Sequence, residues 1–123
     1  MSNSVNVEGI NFIFLIACEY GKEKLVKILI SKGANIHFQG DLTLEVASAN
    51  GHFEVVKLLL ENGANVHAYN DWALRLASGD DHVEVVKLLL ENGADVHAYN
   101  DRALILASSY GHLDIVKLLI EQY

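Results

Sequence analysis

A period of thirty residues governs this chain. Residues 51–71 and 81–101 differ at only three positions. The same register links Ala17, Ala47, Ala77 and Ala107, and likewise Val26, Val56, Val86 and Val116. Gly33, Gly63 and Gly93 keep it, as do His37, His67 and His97. A fixed period of this size marks a solenoid of stacked units, because one copy alone has no second surface to bury against. Four units follow, at residues 11–40, 41–70, 71–100 and 101–123, with Tyr123 in the glycine column of the last. Residues 1–10 precede them as a flexible segment or partial lid, in which Val5 and Val7 alternate.

Each unit reads as two short helices, which makes the chain all-α. Asp71 is an expected N-cap, its carboxylate taking the free N–H groups of a first helix over residues 72–78. Leu74, Ala77 and Ser78 form one stripe of that helix at i, i+3 and i+4. A turn such as residues 49–52 leads to a second helix over residues 53–61, with Val55, Val56, Leu58, Leu59 and Leu60 apolar. Gly63 ends it by supplying a left-handed conformation past the C-cap. An extended connector over residues 64–70 reaches the next Asp. Helices of under three turns do not stand alone in water, so the stack must supply their stability.

"GHFEVVKLLLENGANVHA", at residues 51–68, resembles the second half of an ankyrin repeat. The pattern recurs as "DHVEVVKLLLENGADVHA" at residues 81–98, and more weakly at residues 21–38 and 111–122. The resemblance covers residues 11–123. It implies an ankyrin-like solenoid of four stacked helix-turn-helix repeats. The family's unit is about 33 residues long, with a T-P-L-H-x-A opening to its first helix. Here the openings read "FIFLIA", "LTLEVA", "WALRLA" and "RALILA", and the period is thirty. The missing residues fall where ankyrin repeats project a β-turn finger, so shortened fingers are expected. Shortened units of this kind are similar to those of ankyrin arrays in large DNA viruses.

Composition narrows the function. The chain is 51% hydrophobic and 20% charged, the balance of a globular domain. Its formal net charge of −7 disfavours phosphate backbones and anionic membranes as partners. Cys18 is the lone cysteine, which excludes an internal disulfide and fits an intracellular, more cytoplasmic than nuclear, setting. The run from Ile10 to Cys18 ends in a box like that of a bacterial lipoprotein, but Lys and Arg are absent from its flank and it lies in register with the repeats. It reads as helix.

No catalytic, cofactor or metal site is expected. Helix pairs stack about 8–10 Å apart, whereas zinc ligands sit about 2 Å from their metal, so the ladder of His37, His67 and His97 cannot chelate. These three read as connector hydrogen-bonders, and His52, His82 and His112 as turn hydrogen-bonders. Cys18 aligns with Ser48, Ser78 and Ser108 as a small packing residue. Asp81 replaces a glycine at a position of positive φ, which Asp tolerates. Lys57, Lys87 and Lys117 follow Glu54, Glu84 and Asp114 by three residues on a solvated outer face.

The columns that differ between copies are the candidates for partner contact. They are Phe12, Leu42, Trp72 and Arg102; Leu15, Glu45, Arg75 and Ile105; and Tyr20, Asn50, Asp80 and Tyr110. The family resemblance implies a concave groove lined by the first helices and connector tips. A protein partner is therefore expected to meet Trp72, Arg75, Arg102, Ile105, Asp80, Tyr110, Tyr69, Tyr99, Leu42 and Glu45. Aromatic and arginine side chains commonly carry interface energy. A second expectation is self-association into homo-oligomers through apolar ends, with Phe12 and Phe14 at one end and Leu104, Ile115 and Leu119 at the other.

Overall fold

The computed structural model describes the backbone of residues 7–123 and the side chains of residues 9–123. Eight helices run in order: α1 (Val7–Glu19), α2 (Glu23–Ser31), α3 (Phe38–Ala49), α4 (Phe53–Glu61), α5 (Ala68–Gly79), α6 (Val83–Glu91), α7 (Ala98–Ser109) and α8 (Leu113–Ile120). Val5 and the rest of the expected lid up to residue 6 lie outside the described residues. From Val7 the chain is already helical, as the first turns of α1.

The second helices fall on the residues expected. The first three close on left-handed glycines, Gly33, Gly63 and Gly93: at Gly63 (φ +92°) the N–H bonds to the Leu60 carbonyl, and the Ala64 N–H reaches Leu59. These two bonds satisfy carbonyls that the helix end would otherwise leave bare. Gly51 ends the preceding helix in the same conformation, and a Cβ there would overlap the His82 ring of the following unit. Asp81 stands in that column with φ +62°, as expected. Its carboxylate lies 3.8 Å from His112 Nδ1.

The connectors differ from expectation. They are not extended, and the Asp does not cap its helix through its side chain. Residues 69–71 all adopt left-handed angles, as do residues 39–41 and 99–101. A left-handed turn thus takes the place of the finger. The Asp carboxylate is spent on connectors instead. Asp71 is 4% exposed; it accepts the Nδ1–H of His67 at 3.1 and 3.2 Å and the backbone N–H of Asp95, in the following connector, at 2.7 Å. Asp41 does the same for His37 and for Asn65, whose N–H lies 3.0 Å away. Asn11 holds the Asn35 N–H at 2.8 Å. In the fourth unit the Tyr123 hydroxyl donates to Asp101, and its ring meets His97 edge-on at 4.5 Å.

The turn histidines reach back to the preceding unit. His52 Nε2–H donates to the Glu19 carbonyl at 2.8 Å, His82 to Ala49 at 2.8 Å, and His112 to Gly79 at 3.0 Å. Between these two edges lies the apolar core, with Leu44, Leu59, Leu74 and Leu89 essentially sealed from solvent. Ala, Ser and Thr line the contacts between successive first helices (α1, α3, α5, α7), which pack more closely than the Val- and Leu-lined second helices (α2, α4, α6, α8). The stack therefore bends with the first helices inward.

Replacing Asp71 with Ala leaves the Asp95 N–H and the His67 Nδ1–H without an acceptor. We expect a loss of roughly 2 kcal/mol in urea denaturation. Asp71→Asn should lose about half as much, because an amide oxygen serves at Asn11 and Asn tolerates positive φ.

Candidate functional site

The inner face of the stack gathers most of the variable columns. Trp72 (38% exposed) begins the right-handed part of α5, and Tyr69 on the preceding left-handed turn meets it edge-on at 6.2 Å. Tyr69, Tyr99, Ile105 and Tyr110 are exposed, Asp80 is exposed, and Leu42, Arg75 and Arg102 are half-buried. The left-handed turn explains the position of the two tyrosines. It curls the connector tip back on itself and leaves its carbonyls without a helical partner.

Arg75 answers that need. Its Nη2 donates to the Tyr69 carbonyl at 2.8 Å and its Nε to Asn70 at 3.1 Å. Its guanidinium also lies over the Tyr99 ring, 4.7 Å from the centroid. Arg102 lies over the same ring at 5.5 Å.

Glu45 corrects the expectation. It is 1% exposed and offers a partner no surface in the stack. Neither of its oxygens has a hydrogen-bond partner. Burial, and secondarily the charge of Asp41, push its carboxyl up to about 7, while Arg75 acts in the opposite sense. A column that varies between copies is expected to be exposed; at Glu45 the variation falls on a side chain inside the stack.

The expected ends are corrected in the same way. Phe14, Ile115 and Leu119 are fully buried core residues, and Leu104 is half-buried. Phe12 is exposed and packs edge-on against Phe38 at 5.2 Å. The apolar surface of the first unit is made instead by Ile13, Ile16, Tyr20, Leu25 and Ile28. The signal lay in the columns: Thr43, Ala73 and Ala103 align with Ile13 and are buried against the unit before them. At the other end Leu113 and Ile120 are exposed.

The histidines are structurally engaged. Five histidines make the hydrogen bonds described above and His97 Nδ1 bonds the Asp101 carboxylate at 2.7 Å, and among the described residues no three His, Cys, Asp or Glu side chains converge on a metal position. Cys18 is buried, and desolvation raises its thiol to about 12. At Asp101 the Tyr123 hydroxyl, then His97, holds the carboxyl below its usual range, and the same bond raises Tyr123 to about 12. Among the described residues no helix is long and apolar enough to cross a membrane.

A family model described as ankyrin repeats (three copies) matches residues 2–70 and 67–123. The chain belongs to the ankyrin-repeat family. Ankyrin repeats are generally protein–protein interaction modules, and in this array Trp72, Arg75 and Arg102 stand on first helices, with Tyr69 and Tyr99 on the left-handed turns that lead into them. No curated protein matches it significantly. The expected ankyrin-like solenoid of helical pairs is therefore the observed fold, with left-handed turns in the finger positions.

The Glu45 carboxyl binds its proton more tightly folded than unfolded. The contribution of Glu45 to stability therefore falls as pH rises from the ordinary carboxylate range to about 7, and levels off above it. Glu45→Gln removes that loss. We expect the variant to be more stable than the parent by about 2 kcal/mol at pH 8 and nearly equal to it at pH 4.5, measured by paired urea titrations.

Proposed function

We propose that this ankyrin array is a non-enzymatic intracellular module that binds a protein partner along its concave first-helix face. The observation that carries the reading is one row of exposed side chains, Tyr69, Trp72, Tyr99, Ile105 and Tyr110, on the inner side of a stack whose histidines and connector carboxylates are engaged in hydrogen bonds of the connectors and turns. Large amphipathic rings supply contact area at low entropic cost, and arginine supplies directional donors. Asp80 and Leu42 flank the row. Glu45 does not take part, being buried. The net charge of −7 disfavours nucleic acid and anionic membranes, as before.

A second reading is self-association through the apolar ends. It is favoured by Ile13, Ile16, Leu25 and Ile28, which are 39% to 53% exposed at one end, and by Leu113 and Ile120 at the other. Apolar faces of this kind commonly mark interaction sites.

Two measurements separate the readings. In affinity capture from the native host lysate, Trp72→Ala with Ile105→Ala should lose a partner at least tenfold, while Lys57→Ala with Lys87→Ala on the outer face keeps it. Equal behaviour of the two variants sinks the groove reading. For the ends, light scattering over a hundredfold concentration range should give a mass that rises above 13.6 kDa if the ends pair, and Ile13→Lys with Ile16→Glu should return it to that value. A constant mass leaves the ends without this role.

A further inference from the structure

The chain holds sixteen carboxylates and only two arginines, Arg75 and Arg102. Both lie over the ring of Tyr99, at 4.7 and 5.5 Å from its centroid. Their donors are used very differently. Arg75 spends Nε and Nη2 on the Asn70 and Tyr69 carbonyls and so stiffens the left-handed turn beneath Trp72. Arg102 makes no ion pair among the described residues. Its Nε is buried and without a hydrogen-bond partner. The carboxylate next to it in sequence, Asp101, is already taken by Tyr123 and His97.

A buried guanidinium N–H left without an acceptor carries a desolvation cost. In a chain this rich in carboxylates, any nearby acid could have removed it. None does. The buried Nε is closed to a docking partner, but the terminal Nη groups of this half-buried residue also find no acceptor among the described residues, and such a pair matches a carboxylate bidentately end-on, with the Tyr99 ring limiting the orientations open to it. Exposed Ile105 and Trp72 stand on the same inner face and offer apolar contact beside it.

We infer that Arg102, stacked on Tyr99 and backed by the charge of Arg75, grips a single Asp or Glu side chain of the protein that docks in the groove. This rests on the groove reading above and names the chemistry of its partner. The partner segment carries one carboxylate flanked by bulky apolar residues and is otherwise neutral or basic, because the net charge of −7 repels an acidic segment as a whole. A dianionic phosphate meets the same repulsion more strongly, and a carboxylate is the better match to one free fork.

The test uses the full chain and a phage-displayed library of random peptides. Peptides are sorted by whether Trp72→Ala with Ile105→Ala abolishes their binding. Those that depend on the groove should share an Asp or Glu. Changing that residue to Asn or Gln should weaken binding to the parent by roughly tenfold or more, and should have little effect on Arg102→Gln. Arg102→Lys, which keeps charge but loses the fork, should fall between the two. Groove-dependent peptides that lack an acid, or an Asp→Asn change felt equally by Arg102→Gln, overturn the inference and leave the groove reading standing. A failure to find any groove-dependent peptide overturns both. Circular dichroism of each variant confirms that the array is folded.

Discussion

The connector carboxylate is the interaction on which the rest of this array depends. Asp41 and Asp71 each sit at the end of one connector and accept the backbone N–H at the head of the next. The same carboxylates are oriented by His37 and His67 four residues earlier. Hydrophobic burial drives the stacking, but it is non-directional and cannot by itself choose one register. Hydrogen bonds along the connector edge do so. Along the opposite edge His52, His82 and His112 reach back to the preceding unit. Each interface is thus tied at both margins, with Val and Leu side chains sealed between.

The inner face follows from the same constraint. For its carboxylate to reach both partners, the Asp must follow a tight left-handed turn, and side chains at residues 69–71 and 99–101 accept an unfavourable conformation. The turn presents its carbonyls inward, where Arg75 binds two of them. It also stands Tyr69 and Tyr99 up at the edge of the groove. What the array lacks in projecting fingers it recovers as a compact rim of rings and guanidinium groups. Tyr99 links the two, since Arg75 from one unit and Arg102 from the next meet on it.

Local features were legible where one residue decides the backbone. The second helices, the left-handed Gly63 and the positive φ of Asp81 all follow from propensity and steric allowance. Features that depend on a neighbour are less legible in the sequence. Asp71 is a plausible N-cap by residue type, yet its carboxylate turns to a connector 24 residues away. The variation of its column suggests an exposed Glu45, but the side chain is buried. Phe14, Ile115 and Leu119 looked like end surface from their place in the series, and instead point into the core.

The sequence by itself determined the repeat, its period, the helical pairs and the residue types that recur at each junction. Periodicity and propensity are properties of the chain that no partner is needed to express. Only the tertiary structure decided which of those residues face one another. It assigned the Asp carboxylates to connectors, left Glu45 sealed and Arg102 unpaired, and exposed Ile13 where its counterparts Thr43, Ala73 and Ala103 are covered. Burial and pairing belong to the space between units, and that space exists only once the units have stacked.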